Sequence, residues 1–247
     1  MATQLKEARL LGYPVHLVDK TQAETFVQEA LSRQKTVQVV TLNPEMMMQG
    51  DENPVLSQIL KAADVILPDG AGLVWALRKQ GHSVSRLPGI EFSESLLKWA
   101  AETNQPVALV GAAESVLALA VENLQTRFPG LRIVYQHHGF FKPDEEEAKI
   151  VQACADALPK IVLVALGVPR QEIWIHRHKA LFPGAVMVGV GGSLDVWSGK
   201  TLRAPAWMRR LNLEWLYRIS SEPWRIKRIY KTLPMFVVKV WLAGFDR

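Results

Sequence analysis

Val65-Ile66-Leu67-Pro68-Asp69-Gly70-Ala71-Gly72-Leu73-Val74 is the stretch around which the rest of the chain can be ordered. A short apolar run closed by a proline reads as a buried strand. Two glycines follow, and the spacing then predicts a helix over Leu73–Lys79. Asp69 therefore belongs to the carboxyl end of a strand, in the turn that opens a helix, and ligands of open α/β sheets bind at that edge. A carboxylate there can cap the helix, contact a sugar hydroxyl or take a proton; capping is the plainer role. A second strand end of the same kind lies upstream. Val37-Gln38-Val39-Val40-Thr41-Leu42-Asn43-Pro44 leaves Thr41 and Asn43 at its end, with Pro44 placed to start a helix. The two strand ends together make a polar floor.

Working outward, Thr21-Gln22-Ala23-Glu24 has the spacing of a capping box and opens a helix ending near Gln34. Met46, Met47 and Met48 read as adaptable core packing rather than a metal or substrate box. Asn53-Pro54 opens a further helix, with Val55, Ile59 and Leu60 spaced for burial. Downstream, Pro106–Gly111, Leu131–Gln136, Lys160–Gly167 and Ala185–Gly192 are predicted strands, separated by predicted helices over Ser115–Phe128, Asp144–Leu158 and from about Pro169 to Phe182. Strands that are apolar throughout, alternating with helices, indicate a parallel sheet covered on both faces. The predicted fold is α/β: a Rossmann-like three-layer sandwich with a mostly parallel sheet.

The chain has 247 residues, 49% hydrophobic and 21% charged, with one cysteine and a formal charge of +5. That composition is globular, and a single cysteine rules out an internal disulfide. Met1 to Leu10 lacks the apolar core of a secretory signal, and no run of about 18 apolar residues marks a spanning helix. The positive charge suits an anionic partner: nucleic acid, nucleotide or anionic lipid.

The charge has a location. After about Thr201 the strand–helix alternation stops, and residues 202–247 hold ten Lys or Arg against three acids, a net +7, with four of the eight tryptophans. The expected division is a catalytic domain over residues 1–200 and an amphipathic appendage over 201–247. Met208, Leu211, Trp215 and Ile219 would form one apolar helical stripe opposite a basic face. Such helices, with interfacial tryptophans, suit an anionic membrane surface; the plainer reading is a helical lid with a solvated basic face.

Chemistry-bearing motifs are few. Gly189-Val190-Gly191-Gly192 could bring backbone N–H groups to a diphosphate, but it is not a G-x-G-x-x-G fingerprint. His176 and His178 are two apart on a predicted helix and face different ways, and there is no Cys/His cluster, Asp-x-Asp, Walker A loop or G-x-S-x-G elbow. Periodicity and spacing thus stop at an α/β protein with a polar site on its strand ends and a basic tail.

Ordered short motifs go further. Thr41-Leu42-Asn43-Pro44, Pro68-Asp69-Gly70, Arg86-Leu87-Pro88-Gly89, Gly139-Phe140-Phe141, Gly167-Val168-Pro169-Arg170-Gln171-Glu172, Gly191-Gly192 with Asp195, Arg203-Ala204-Pro205, Leu213–Arg218 and Glu222–Arg225 occur in sequence along most of the chain. With them the chain resembles the bacterial WecG/TagA/CpsF glycosyltransferases. The resemblance implies transfer of a sugar from a UDP-sugar to a polyprenyl-diphosphate-linked sugar at the cytoplasmic face of the plasma membrane, in cell-surface polysaccharide synthesis. It implies inversion at the anomeric carbon, no metal, no other cofactor and no nucleic acid. In TagA-like members the donor carries N-acetylmannosamine and the acceptor is a lipid-linked N-acetylglucosamine. Asp69 corresponds to the proposed general base, with Thr41 and Asn43 holding sugar or acceptor beside it and Arg86 acting on the diphosphate. Gly70, Gly111, Gly191 and Gly192 would supply backbone N–H groups, Gln171 and Asp195 would orient sugar and nucleoside, and Arg218 and Arg225 would complete the site from the tail. Homo-oligomerisation is left open. Two other classes also stay open: another nucleotide-sugar enzyme such as an epimerase, and a non-catalytic nucleotide- or membrane-binding protein.

Overall fold

The computed structural model describes residues 5–211, 213–221 and 226–244; the side chains of 218–221, 226–229 and 231 lie outside that description. A hairpin of β1 (Glu7–Leu10) and β2 (Tyr13–His16) opens the chain, turning through Leu11 and Gly12, both at positive φ (49° and 81°). That pair of left-handed residues is what a tight hairpin turn needs. Ala8, Leu10, Tyr13 and Val15 are buried, and His16 Nδ1 accepts the Ile66 N–H at 2.9 Å. Burial lowers the His16 pKa, in keeping with a neutral acceptor nitrogen.

Helix α1 (Lys20–Ser32) follows, then β3 (Val37–Leu42), α2 (Pro44–Glu52), α3 (Pro54–Ala62), β4 (Val65–Pro68), α4 (Ala71–Lys79) and α5 (Gly89–Glu102). The alternation continues with β5 (Pro106–Gly111), α6 (Glu114–Arg127), β6 (Arg132–His137), α7 (Glu145–Asp156), β7 (Ile161–Ala165), α8 (Arg170–His178), β8 (Val186–Gly189) and α9 (Ser193–Trp197). Six strands pair in the order β4-β3-β8-β7-β5-β6, every pair parallel. All six carboxyl ends therefore share one edge. Alternate strand residues point to opposite faces. Val39, Leu67, Leu109, Leu163 and Val188 meet α1, α5, α6 and α9, whereas Val40, Leu42 and Ile66 meet the hairpin, α2, α3 and α4. Val110, Val162, Val164 and Met187 meet α7 and α8 on that second face. This is the predicted Rossmann-like three-layer sandwich, and the Met46–Met48 triplet is buried in it.

Three local expectations are corrected. The capping box of α1 is Asp19 with Gln22, not Thr21 with Glu24: Asp19 Oδ1 accepts the Gln22 N–H at 2.8 Å and Gln22 Oε1 accepts the Asp19 N–H at 3.0 Å. The two candidate boxes overlap, and Asp is the stronger N-cap. Val55 is 55% exposed, because α3 turns Leu56, Ile59 and Leu60 inward instead. The tail stripe is divided between α10 (Ala206–Arg210) and α11 (Glu214–Ser221). Leu213 N–H closes onto the Met208 carbonyl at 2.8 Å, a helix-ending contact, so Met208 and Ile219 do not share one helix.

The last helix, α12 (Ile226–Ala243), packs against α2 and α4. Phe236 is fully buried there, Val240 nearly so, and Lys239 pairs with Asp51 of α2. The end of the strand–helix alternation near residue 200 is thus not the end of the packing.

Candidate active site

The site begins where β3 and β4 stop. Leu42 is opposite Pro68 in the ladder, and the Asp69 N–H continues it by donating to the Leu42 carbonyl at 2.9 Å. Asn43 and Asp69 are therefore neighbours. Asn43 Oδ1 accepts the Met46 N–H at 3.0 Å and so caps α2. Gly70, at φ 86°, begins α4 beside it; a Cβ at that position would meet Asn43 Cβ at 3.6 Å. Leu87 N–H then donates to the Pro68 carbonyl, which draws the loop before α5 back to the same edge. There Gly89 sits on Thr41 so closely that a Cβ would lie 2.9 Å from Thr41 Oγ1.

Asp69 joins these parts. Its Oδ1 accepts the Gly70 N–H at 2.6 Å and its Oδ2 accepts the Gly89 N–H at 3.3 Å. One carboxylate thus bridges the N-cap residue of α4 and the first residue of α5, more than the single-helix cap that its spacing allows. It is half-buried, with Thr41 and Asn43 likewise half-buried around it.

Helix starts surround this floor. Asp69 occupies the starts of α4 and α5, whereas the N-cap residues of α6, α8 and α9 make no side-chain cap hydrogen bond. Their first-turn N–H groups and positive dipole ends are the kind of feature that stabilises phosphate oxygens. Gly111 ends β5 at φ 135°, where a Cβ would collide with the Ala165 carbonyl oxygen at 2.3 Å, so only glycine fits.

The second cluster on the edge is a clamp. Gln171 is buried, and its Oε1 accepts both the Gly167 N–H (3.2 Å) and the Gly191 N–H (3.0 Å). It thereby ties the exit loops of β7 and β8 together. Its Nε2 donates to Glu172 Oε1 at 2.8 Å, fixing which end of the amide faces the loops. Glu172 is almost wholly buried, its Oε2 has no hydrogen-bond partner among the described residues, and burial pushes its pKa up to about 7. The Gly191 N–H, expected at a diphosphate, donates to Gln171 here, and Gln171, expected to orient sugar or nucleoside, is itself buried on the same edge. Gly192 is exposed beside it, and Asp195 lies half-buried in the first turn of α9. In the sequence Glu172 stands out only as part of a motif; the signal for its burial is an acid in an otherwise apolar helix face.

Arg86 is held differently from the expectation. Its Nη2 donates to Glu214 Oε2 at 3.3 Å, and Glu214, on α11, is buried. Arg203 approaches the other Glu214 oxygen at 3.7 Å and pairs with Glu91 at 2.7 Å, and Arg209 also reaches Glu91 at 3.4 Å. The appendage is thus ion-paired to the loop that leads to Gly89. Of the two tail arginines expected at the site, Arg218 has only its backbone described, in α11, and Arg225 lies outside the described residues. Among the described residues, no group of three or more His, Cys, Asp or Glu is arranged to hold a metal ion. Cys154 is buried, and burial pushes its thiol pKa up to about 12, so it is no nucleophile.

A parallel three-layer sheet with a polar floor at its carboxyl edge defines an α/β ligand-binding enzyme fold. Comparison with known proteins narrows this. The chain matches the glycosyl transferase WecG/TagA/CpsF family over residues 8–247. It is 38% identical over 234 residues to a Bacillus spizizenii N-acetylglucosaminyldiphosphoundecaprenol N-acetyl-beta-D-mannosaminyltransferase, covering 92% of this chain and 90% of that protein. Proteins of the same name from Bacillus subtilis and Staphylococcus aureus are 36% identical over 203 residues, covering 82% of this chain and 78% of theirs. The chain belongs to the WecG/TagA/CpsF family and is a glycosyltransferase.

Proposed function

We propose that this enzyme transfers N-acetylmannosamine from a UDP-linked donor to N-acetylglucosaminyldiphosphoundecaprenol, with inversion, without a metal ion, at the inner face of the bacterial plasma membrane. The acceptor and sugar come from the names of the relatives. The observation that carries the reaction is the carboxylate of Asp69, held between two helix starts with Thr41 and Asn43 beside it on the ligand-binding edge.

In this reading an acceptor hydroxyl oxygen attacks the anomeric carbon from the face opposite UDP. The new C–O bond forms as the bond to the diphosphate breaks, UDP leaves with the electron pair, and Asp69 takes the hydroxyl proton. A positioned base contributes roughly 10²–10⁴ in rate. The Gly70 and Gly89 N–H groups fix the direction of the carboxylate, and Thr41 and Asn43 place the reacting sugar against it. The uncapped starts of α6 and α9, with Arg86 and the tail arginines Arg218 and Arg225, serve the UDP diphosphate charge that a metal serves elsewhere. Asp195 and Gly192 lie on the same edge, beside the clamp that Gln171 makes.

Residues 201–247 form a membrane-targeting appendage in this reading. Trp207, Leu211, Trp215 and Leu216 on α10, α11 and the turn between them, and Val238, Trp241 and Leu242 on α12, are exposed in a segment of net charge +7. Exposed tryptophan with surplus Lys and Arg favours an anionic bilayer surface. No described helix is long and apolar enough to cross a membrane.

A panel of UDP-sugars offered with lipid-linked N-acetylglucosamine tests the reading, with wild type beside Asp69→Asn. The expected result is transfer from UDP-N-acetylmannosamine, and a variant that binds UDP but is slower by about 10²–10⁴. Because the amide of the Asp69→Asn variant keeps one acceptor oxygen but presents an N–H₂ toward Gly89, the melting temperature is measured as well. Near wild-type turnover in a folded variant would reduce Asp69 to a double helix cap.

A further inference from the structure

We infer that the cavity along the outer face of α4 seats the first isoprene units of the lipid-linked acceptor. It has a volume of about 220 Å³ and is lined by Ala71, Val74, Trp75, Arg78 and Arg86. Helix α4 starts two residues after Asp69, so Ala71 and Arg86 mark the end of the cavity nearest the catalytic floor. Trp75 stands one helical turn further out, 40% exposed.

The cavity has two chemically different parts. Ala71, Val74 and Trp75 give an apolar wall. Two guanidinium groups border it: Arg78 is pinned by donating to the Val84 carbonyl through Nε (3.1 Å) and Nη2 (3.0 Å), and Arg86 is held by Glu214. An apolar chain joined to a diphosphate has the complementary order, with its phosphates at the inner end toward the reaction edge and its hydrocarbon along Trp75.

The outer mouth is placed at bilayer level by its neighbours. Lys79 Nζ lies 5.7 Å from the Trp75 ring centroid and 4.8 Å from that of Trp241 on α12. Both indoles are exposed, and Val238 and Leu242 extend the apolar surface from Trp241. Tryptophan paired with a cation is the side-chain combination that settles at a membrane–water interface. An isoprenoid chain leaving the bilayer beside Trp241 therefore meets Trp75 first and Asp69 last. Leu233 and Phe236 of α12 cover α4 near Gly72, which leaves the stripe of Ala71, Trp75 and Arg78 as its open side.

This inference takes the identity of the ligand from the transfer reaction proposed above, and its test does not need turnover. Binding of geranyl diphosphate and of inorganic diphosphate to the full-length protein is measured by calorimetry, in wild type, Trp75→Ala and Trp75→Phe. Wild type should bind the geranyl compound about tenfold more tightly than diphosphate, the return expected from covering a modest apolar surface. Trp75→Ala should bring the two ligands within about twofold of each other, and Trp75→Phe should restore most of the gap. Trp75 is exposed, so the variants should melt with wild type, which the same samples can show. Equal affinities in wild type, or an unchanged preference in Trp75→Ala, would remove the assignment. Transfer by wild type is assayed alongside. If transfer is absent while the geranyl preference and its Trp75 dependence hold, the reaction is wrong and the cavity still binds prenyl diphosphates; if transfer occurs without the preference, only the cavity assignment fails.

Discussion

Replacing Phe236 by Ala tests whether the tail is part of the folded core. The Phe236 side chain is fully buried, in the cluster that also holds Val40, Ile66, Leu73 and Met47. It lies close enough to α4 that a Cβ on Gly72 would touch its ring at 3.7 Å. Truncating a buried Phe to Ala costs about 3–5 kcal/mol, the lost transfer energy plus the cavity left behind. For a chain of this size each kcal/mol moves the melting temperature by about 2–4 °C, so the expected fall is roughly 6–20 °C. Val238, two residues on and exposed, is the control: Val238→Ala should stay within about 0.5 kcal/mol of wild type. Unfolding is followed by circular dichroism, which reports the sheet and all helices, and by tryptophan fluorescence. A single transition that shifts together in both signals is expected. If the main transition of Phe236→Ala moved by less than about 2 °C, or if only a separate low-temperature step appeared, α12 would be a detachable element and residues 1–200 a self-sufficient domain.

Burial raises the Glu172 pKa to about 7 against 4.5 for the free group, so between those pH values the unfolded chain has lost a proton that the folded chain keeps. Stability must fall as pH rises through that window, and Glu172→Gln should gain about 1–3 kcal/mol over wild type at pH 8 and nothing at pH 4, read from urea midpoints. Glu214→Ala leaves Arg86 and Arg203, both largely buried, without their shared carboxylate. A loss of about 2–3 kcal/mol and faster amide exchange across 206–221 are expected, with Glu214→Gln intermediate, and unchanged exchange there would discount the anchor. Chelation by EDTA should leave the transfer rate unchanged; a loss that Mg²⁺ restores would show a metal-bridged diphosphate instead.

The layers of this fold were legible because buried parallel strands write themselves as apolar runs: Val65–Pro68, Pro106–Gly111 and Ile161–Ala165 each match a predicted strand to within a residue or two. The hairpin was not, since four-residue strands bury only two and three residues, too few for a period to stand out, and its turn residues Leu11 and Gly12 include only one glycine. Asp69, Thr41 and Asn43 could be placed at one edge from strand ends alone. What could not be read was the direction of each side chain. Gln171 reads in the sequence as a polar residue on the ligand edge, and only the three-dimensional spacing of Gly167 and Gly191 shows that its amide oxygen also ties two exit loops together.

Arg86 shows most plainly what pairwise geometry adds. In sequence it is a lone cation ahead of a helix, free to serve a phosphate. In the fold its partner is Glu214, 128 residues away, one of only three acids in a tail with ten bases. At 3.3 Å, and with an effective dielectric constant of about 20, the gross attraction of such a pair is about 5 kcal/mol before desolvation is charged against it. Among the described side chains, Glu91 and Glu214 alternate with Arg86, Arg203 and Arg209 along a path from α5 to α11, three cations to two anions. One positive charge is in surplus among these described side chains. A phosphate arriving at Arg86 therefore does not have to displace Glu214 to be neutralised; it can draw on that surplus while the tail stays docked. Tail docking and anion binding are then compatible through the same residues, which a simple exchange of Glu214 for phosphate on Arg86 would not allow. On this arithmetic Glu214→Ala weakens the anchor and frees a second cation, so its effects on stability and on diphosphate affinity should have opposite signs.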